Sequence, residues 1–171
     1  NIYVIGMSNG GMMAQALACE HPELFKGAAN VVGMQHKDLS CIPDKPINFI
    51  IYGGMKDTTV PPINIRAADG YFYEPMNKTF NSSSENFHCS VFVNEEYLFT
   101  DNFEKKTASN CKGGITISSI LNKDRGHLWP GIDQSVGFCN TQDQSNLEIN
   151  ECRVIENLWG NEFIVKLLLE L

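Results

Sequence analysis

The chain has 171 residues, 43% of them hydrophobic, and a formal net charge of −7. That length suits one domain over residues 1–171 with a sizeable core, and its acids and bases are interspersed, which argues against a nucleic-acid surface. No run of about 18 apolar residues occurs, so no membrane span is expected.

The chain opens in Asn1-Ile2-Tyr3-Val4-Ile5 without an initiator Met. Residues 2–5 read as a buried strand, not as part of a signal or transit peptide. The expectation is a chain cut from a longer one. Three more apolar runs follow, at residues 28–32, 47–52 and 115–121. They are rich in Ile, Val and Phe, and strands buried on both faces have that composition in parallel sheets. Between the first two runs, residues 11–21 are rich in Met, Ala and Leu, which favour helix, and Pro22 closes the segment. Strand, tight turn, helix and strand make one βαβ unit, so the class is α/β.

Residues 62–112 are less regular, mixing Tyr71, Phe72, Tyr73 and Phe80 with Asn, Ser and Lys. The aromatics at 71–73 are assigned to core packing rather than to a cleft wall. Residues 82–86 read as a polar loop, and residues 87–103 show no clean period. Residues 137–150 read as an ordered polar loop between Cys139 and Cys152. Residues 156–171 carry Leu158, Phe163, Ile164, Leu167, Leu168 and Leu171 at helical spacing, an amphipathic closing helix.

The turn after the first strand, Gly6-Met7-Ser8-Asn9-Gly10-Gly11, fits the pattern G-x-S-x-G. A serine on a sharp turn between strand and helix has strained backbone angles, and the flanking glycines remove side chains that would clash. Ser8 is then presented at the tip of the sheet as a nucleophile. The backbone N–H of Asn9 is the candidate oxyanion donor, at the positive end of the helix. In this arrangement the acid and then the histidine follow the serine along the chain. His21 and His36 come too early and His88 lies in the irregular middle. His127, in Gly126-His127-Leu128-Trp129-Pro130-Gly131, follows the fourth strand and is the candidate base. Asp57 follows the third strand and is the candidate acid, ahead of Asp69, Asp101 and Asp124. An Asp at this place also suits a turn cap. Trp129 has two open uses, lining a substrate cleft or packing in the core.

Six cysteines and the sequons Asn77-Lys78-Thr79 and Asn81-Ser82-Ser83 lean toward an extracellular or exported protein. Cys89 is expected to pair with Cys111 and Cys139 with Cys152. Cys19, on the first helix, reads as a small buried hydrophobe. No C-x-x-C is present, so neither a zinc ribbon nor a thioredoxin-like site is expected, and no metal site is assigned.

Together these pieces resemble the α/β-hydrolase esterases of the polyhydroxybutyrate depolymerase and feruloyl esterase group. The match covers the elbow, the acid loop Tyr52-Gly53-Gly54-Met55-Lys56-Asp57-Thr58-Thr59-Val60-Pro61 and the histidine loop. Tyr52 stands where the group has a histidine, and Asp124 and Arg125 stand where it has glycines. The resemblance implies the C-terminal part of the fold, a parallel half-sheet of strands five to eight with helices on both faces. It also implies an ester substrate, a polyester or a feruloyl or acetyl ester, cleaved through an acyl-enzyme with no cofactor. The alternative is a non-catalytic hydrolase-fold piece that binds or supports. On the implied strand order residues 2–5 become an edge, and the chain is expected to be poorly soluble and weakly hydrolytic.

Overall fold

The computed structural model describes residues 1–98, 102–130 and 160–169. Their elements, in chain order, are β1 (Tyr3–Met7), α1 (Asn9–Glu20), β2 (Gly27–Val31), β3 (Asn48–Gly54), α2 (Met76–Asn86), β4 (Val91–Leu98), β5 (Asn102–Ser109), β6 (Ile117–Asn122) and α3 (Gly160–Leu169). The strands form one sheet in the order β1-β2-β3-β6-β5-β4. β1, β2, β3 and β6 are parallel neighbours, while β5 runs antiparallel to both β6 and β4.

The four apolar runs therefore lie side by side in chain order. The expectation of a wholly parallel half-sheet is corrected by β4 and β5, which extend it to a mixed sheet of six strands. Residues 82–86 are also corrected: they complete α2 and are not a loop. Ser83 and Ser84 are buried there, Ser84 donating its hydroxyl to the Phe80 carbonyl at 2.8 Å. A serine that satisfies itself on the preceding turn can be buried in a helix, and this is why polarity misleads there. Both sequon asparagines, Asn77 and Asn81, lie on α2 with exposed side chains.

α1 and α2 cover one face of the sheet and α3 the other. On the first face Ala18, Ala28, Phe49, Ile51, Phe80 and Ile117 form the core. On the second, Val31, Ile50, Tyr52 and Ile120 pack with Ile164 and Leu168 of α3. β2 and β3 are buried at every position, as central strands covered on both faces must be. Each fully buried Ile or Val contributes about 1.5–3 kcal/mol of transfer free energy.

Two disulfides join elements on the first face. Cys89 pairs with Cys111, as expected. Cys19 is not a free hydrophobe: it pairs with Cys41 and ties α1 to the segment after β2. Such bonds persist in oxidising compartments, so they suggest an extracellular or otherwise oxidising environment. The expected Cys139–Cys152 pair and the loop at 137–150 lie outside the described residues. Among the described residues no helix is long and apolar enough to cross a membrane.

Candidate active site

Ser8, Asp57 and His127 follow β1, β3 and β6, all at the carboxyl ends of parallel strands, where open α/β sheets place their ligands. The structure brings the three together. Ser8 Oγ lies 2.8 Å from His127 Nε2, and His127 Nδ1 lies 2.7 Å from Asp57 Oδ2. With the imidazole proton on Nδ1, that nitrogen donates to Asp57 and Nε2 accepts from the serine hydroxyl.

The elbow depends on Gly6 and Gly11, and the expectation that Gly10 also removes a clash is corrected, because a Cβ there would meet open space. A Cβ on Gly6 would run into the Gly10 carbonyl. Ser8 itself has φ 55 and ψ −125, a left-handed conformation rare for a residue with a side chain. Its N–H donates to the Val31 carbonyl at 2.8 Å, and its carbonyl accepts from Met12 N at 3.0 Å. Asn9 opens α1, so its N–H is one of the first-turn donors that a helix leaves without an internal acceptor.

Asp57 is fully buried and serves two purposes at once. Its Oδ1 accepts from Thr59 N and Val60 N, each at 2.8 Å, capping its own turn, while Oδ2 faces the histidine. The turn fixes the carboxylate so that one oxygen is left for the imidazole.

The acid and histidine loops are laced together. Met55 N donates to the Asn122 carbonyl and Lys56 N to that of Arg125. A Cβ on Gly54 would strike the carbonyl of Gly126, so this glycine lets the histidine loop pass. Asn122 Oδ1 accepts from the backbone N–H of Asp124 and Arg125, and its Nδ2 donates to the Tyr52 hydroxyl at 3.1 Å. The three residues that depart from the group's pattern thus share one buried asparagine.

Trp129 is half-buried, packs against the core on the α3 side, and its indole N–H has no partner among the described residues. Gly131 lies outside them. Core packing does not hold for Tyr71 and Phe72, which are 62% and 45% exposed, whereas Tyr73 is buried. They sit on a strand-like turn beside the segment after β2, where His36 bridges Tyr73. His36 stacks on Tyr73 and meets Tyr71 edge to face. Tyr73 donates its hydroxyl to Asp69 Oδ2 at 2.6 Å, and burial together with that carboxylate pushes the phenol up to about 12. The same bond, with the Tyr71 N–H, holds Asp69 below the usual carboxylate range.

Along α1 runs an open groove of about 220 Å³ lined by Asn9, Met12, Met13, Ala16, Gln35 and Leu39 among others. It starts at the residue next to the serine and is mostly apolar. Among the described residues no group of His, Cys, Asp and Glu could hold a metal ion. Sequence reasoning assigns nothing to Asn30, Gln15 and Gln35, which link β2, α1 and the following segment. The visible signal is an amide in the middle of an apolar strand.

No family model matches the chain. In an alignment that covers 77% of its length, the chain is 29% identical to a protein of Nocardia uniformis subsp. tsuyamanensis named "Putative esterase NocK". The aligned part is 43% of that protein, so the chain spans less than half of its relative's length.

Proposed function

We propose that this chain belongs to a serine esterase of α/β-hydrolase type, related to the polyhydroxybutyrate depolymerase and feruloyl esterase group. The observation that carries the reading is the linked pair of contacts from Ser8 Oγ to His127 and from His127 to Asp57, 2.8 and 2.7 Å long. The similarity to a protein named as an esterase supports the general class. On this reading residues 1–171 form part of one domain, and β1, β2, β3 and β6 correspond to the fifth to eighth strands of the fold.

His127 Nε2 takes the Ser8 proton as Oγ attacks the ester carbonyl. The carbonyl oxygen becomes an oxyanion facing the Asn9 N–H. Asp57 stabilises the imidazolium and holds its tautomer. Collapse expels the alcohol, which receives the proton from Nε2, and leaves an acyl group on Oγ. Water, deprotonated by Nε2, releases the acid. The apolar groove beside Asn9 accepts a hydrophobic part of the ester, which favours aliphatic or aromatic esters over charged ones.

A fluorophosphonate probe and p-nitrophenyl acetate test the reading together. The folded chain should be labelled at Ser8, and Ser8→Ala should abolish both labelling and turnover. A folded chain that stays unlabelled, or turnover that survives Ser8→Ala, would overturn the serine mechanism.

A further inference from the structure

Asn30 lies in β2, level with Gly6 of β1 and Ile51 of β3, and is fully buried. Its neighbours along the strand are Ala28, Ala29 and Val31, so packing alone would be met by another small apolar side chain. Instead its Nδ2 donates to the Gly33 carbonyl and to Gln15 Oε1, each at 2.8 Å. A Cβ on Gly11 would stand 2.5 Å from Asn30 Oδ1, and one on Gly33 2.6 Å from it. The amide therefore fills the gap that the two glycines open between α1 and the turn after β2.

That turn is strained, and it presses on the elbow. Val32 has φ 44, unusual for a β-branched residue, and Ser8 has φ 55. The Val31 carbonyl accepts the Ser8 N–H, and a Cβ on Gly33 would collide with the Ser8 carbonyl. Two strained peptides thus face each other, and Asn30 fixes one side through its bond to the Gly33 carbonyl while its Oδ1 abuts Gly11 in the helix that starts at the other. Strained conformations persist only where the surroundings over-determine them.

We propose that Asn30 is a positioning residue for the nucleophile: its amide clamps the 31–33 turn against the elbow and so keeps Ser8 at its strained angles with Oγ aimed at His127. It contacts neither substrate nor the reacting atoms. The proposal rests on Ser8 being the nucleophile. Gln15 extends the clamp, passing a hydrogen bond of 3.0 Å to the Cys41 carbonyl, but does not hold the turn itself.

The test separates geometry from stability. Active sites of the full chain are titrated with the fluorophosphonate, and p-nitrophenyl acetate turnover is expressed per titrated site. Asn30→Ala should lower kcat per site by about 10- to 100-fold, with KM altered less than about twofold. Gln15→Leu, which leaves the bond to Gly33 intact, should lower the melting temperature yet keep kcat per site. Should Asn30→Ala fail to fold, Asn30→Ser, whose hydroxyl is too short to span both acceptors, is read in the same way. Full kcat per site in a folded Asn30 variant, whatever its melting temperature, would overturn the clamp. A wild-type chain that is not labelled at all would instead sink the esterase reading on which the clamp depends.

Discussion

That Ser8, Asp57 and His127 would come together was legible because each stands just past an apolar run, with glycines that only a tight turn or a close crossing requires. The two uses of Asp57, turn cap and histidine partner, prove compatible because a carboxylate has two oxygens and the turn occupies one. Tyr73 was not legible, because nothing in Tyr71-Phe72-Tyr73 says which ring turns inward until the pairing with the 34–37 segment is known. Its phenol gives a testable pH effect. The folded chain holds the proton more tightly than the ordinary value of 10.0 and up to about 12. The stability this adds is complete below pH 10.0 and is lost as pH rises toward about 12, where the phenol ionises in the fold. Unfolding free energy measured against pH should therefore fall on the alkaline side, and Tyr73→Phe should flatten that fall. An unchanged alkaline slope in Tyr73→Phe would show that other groups set it.

Among the elements, the strands buried on both faces were read from their unbroken apolar character, while β4, β5 and α2 escaped. β4 runs Val91-Phe92-Val93-Asn94-Glu95-Glu96, and its apolar start is exposed, so no alternation marks it. α2 hides buried serines behind a polar sequence. The Cys19–Cys41 bond was missed because spacing does not reveal that the segment after β2 folds back onto α1. Gln15 and Gln35 join the same two pieces: Gln15 donates to the Cys41 carbonyl at 3.0 Å and Gln35 Nε2 donates to the Met12 carbonyl at 3.4 Å. This staple spans 22 residues and ties down the segment that supplies Gln35 and Leu39 to the groove along α1. Replacing both cysteines, Cys19→Ala with Cys41→Ala, should lower unfolding free energy by about 3 kcal/mol. Urea unfolding of the double variant would reveal it as a lower midpoint. A midpoint within error of wild type would mean that the hydrogen bonds alone fix this wall.

At the scale of the whole molecule the sheet has two lateral edges among its described strands, β1 and β4. They differ in chemistry. β4 carries Glu95 and Glu96, paired with Lys105 and Lys123, and charge of this kind deters another strand from adding to an edge. β1 has no charged residue between Tyr3 and Met7, and Ile2 and Ile5 are 62% and 37% exposed. Among the described residues no strand pairs its outward N–H and C=O groups, which leaves an apolar template. A chain of these 171 residues should therefore associate through β1. Sedimentation velocity should show larger species growing with concentration, and Ile5→Lys, which sets a charge on that edge, should suppress them. Phe92→Lys, on the charged β4 edge, should not, although Phe92 is the more exposed side chain at 60%. The comparison weighs edge chemistry against exposed apolar area. Suppression by Phe92→Lys alone would make area the deciding quantity, and a monomer at every concentration would show that neither edge recruits a partner.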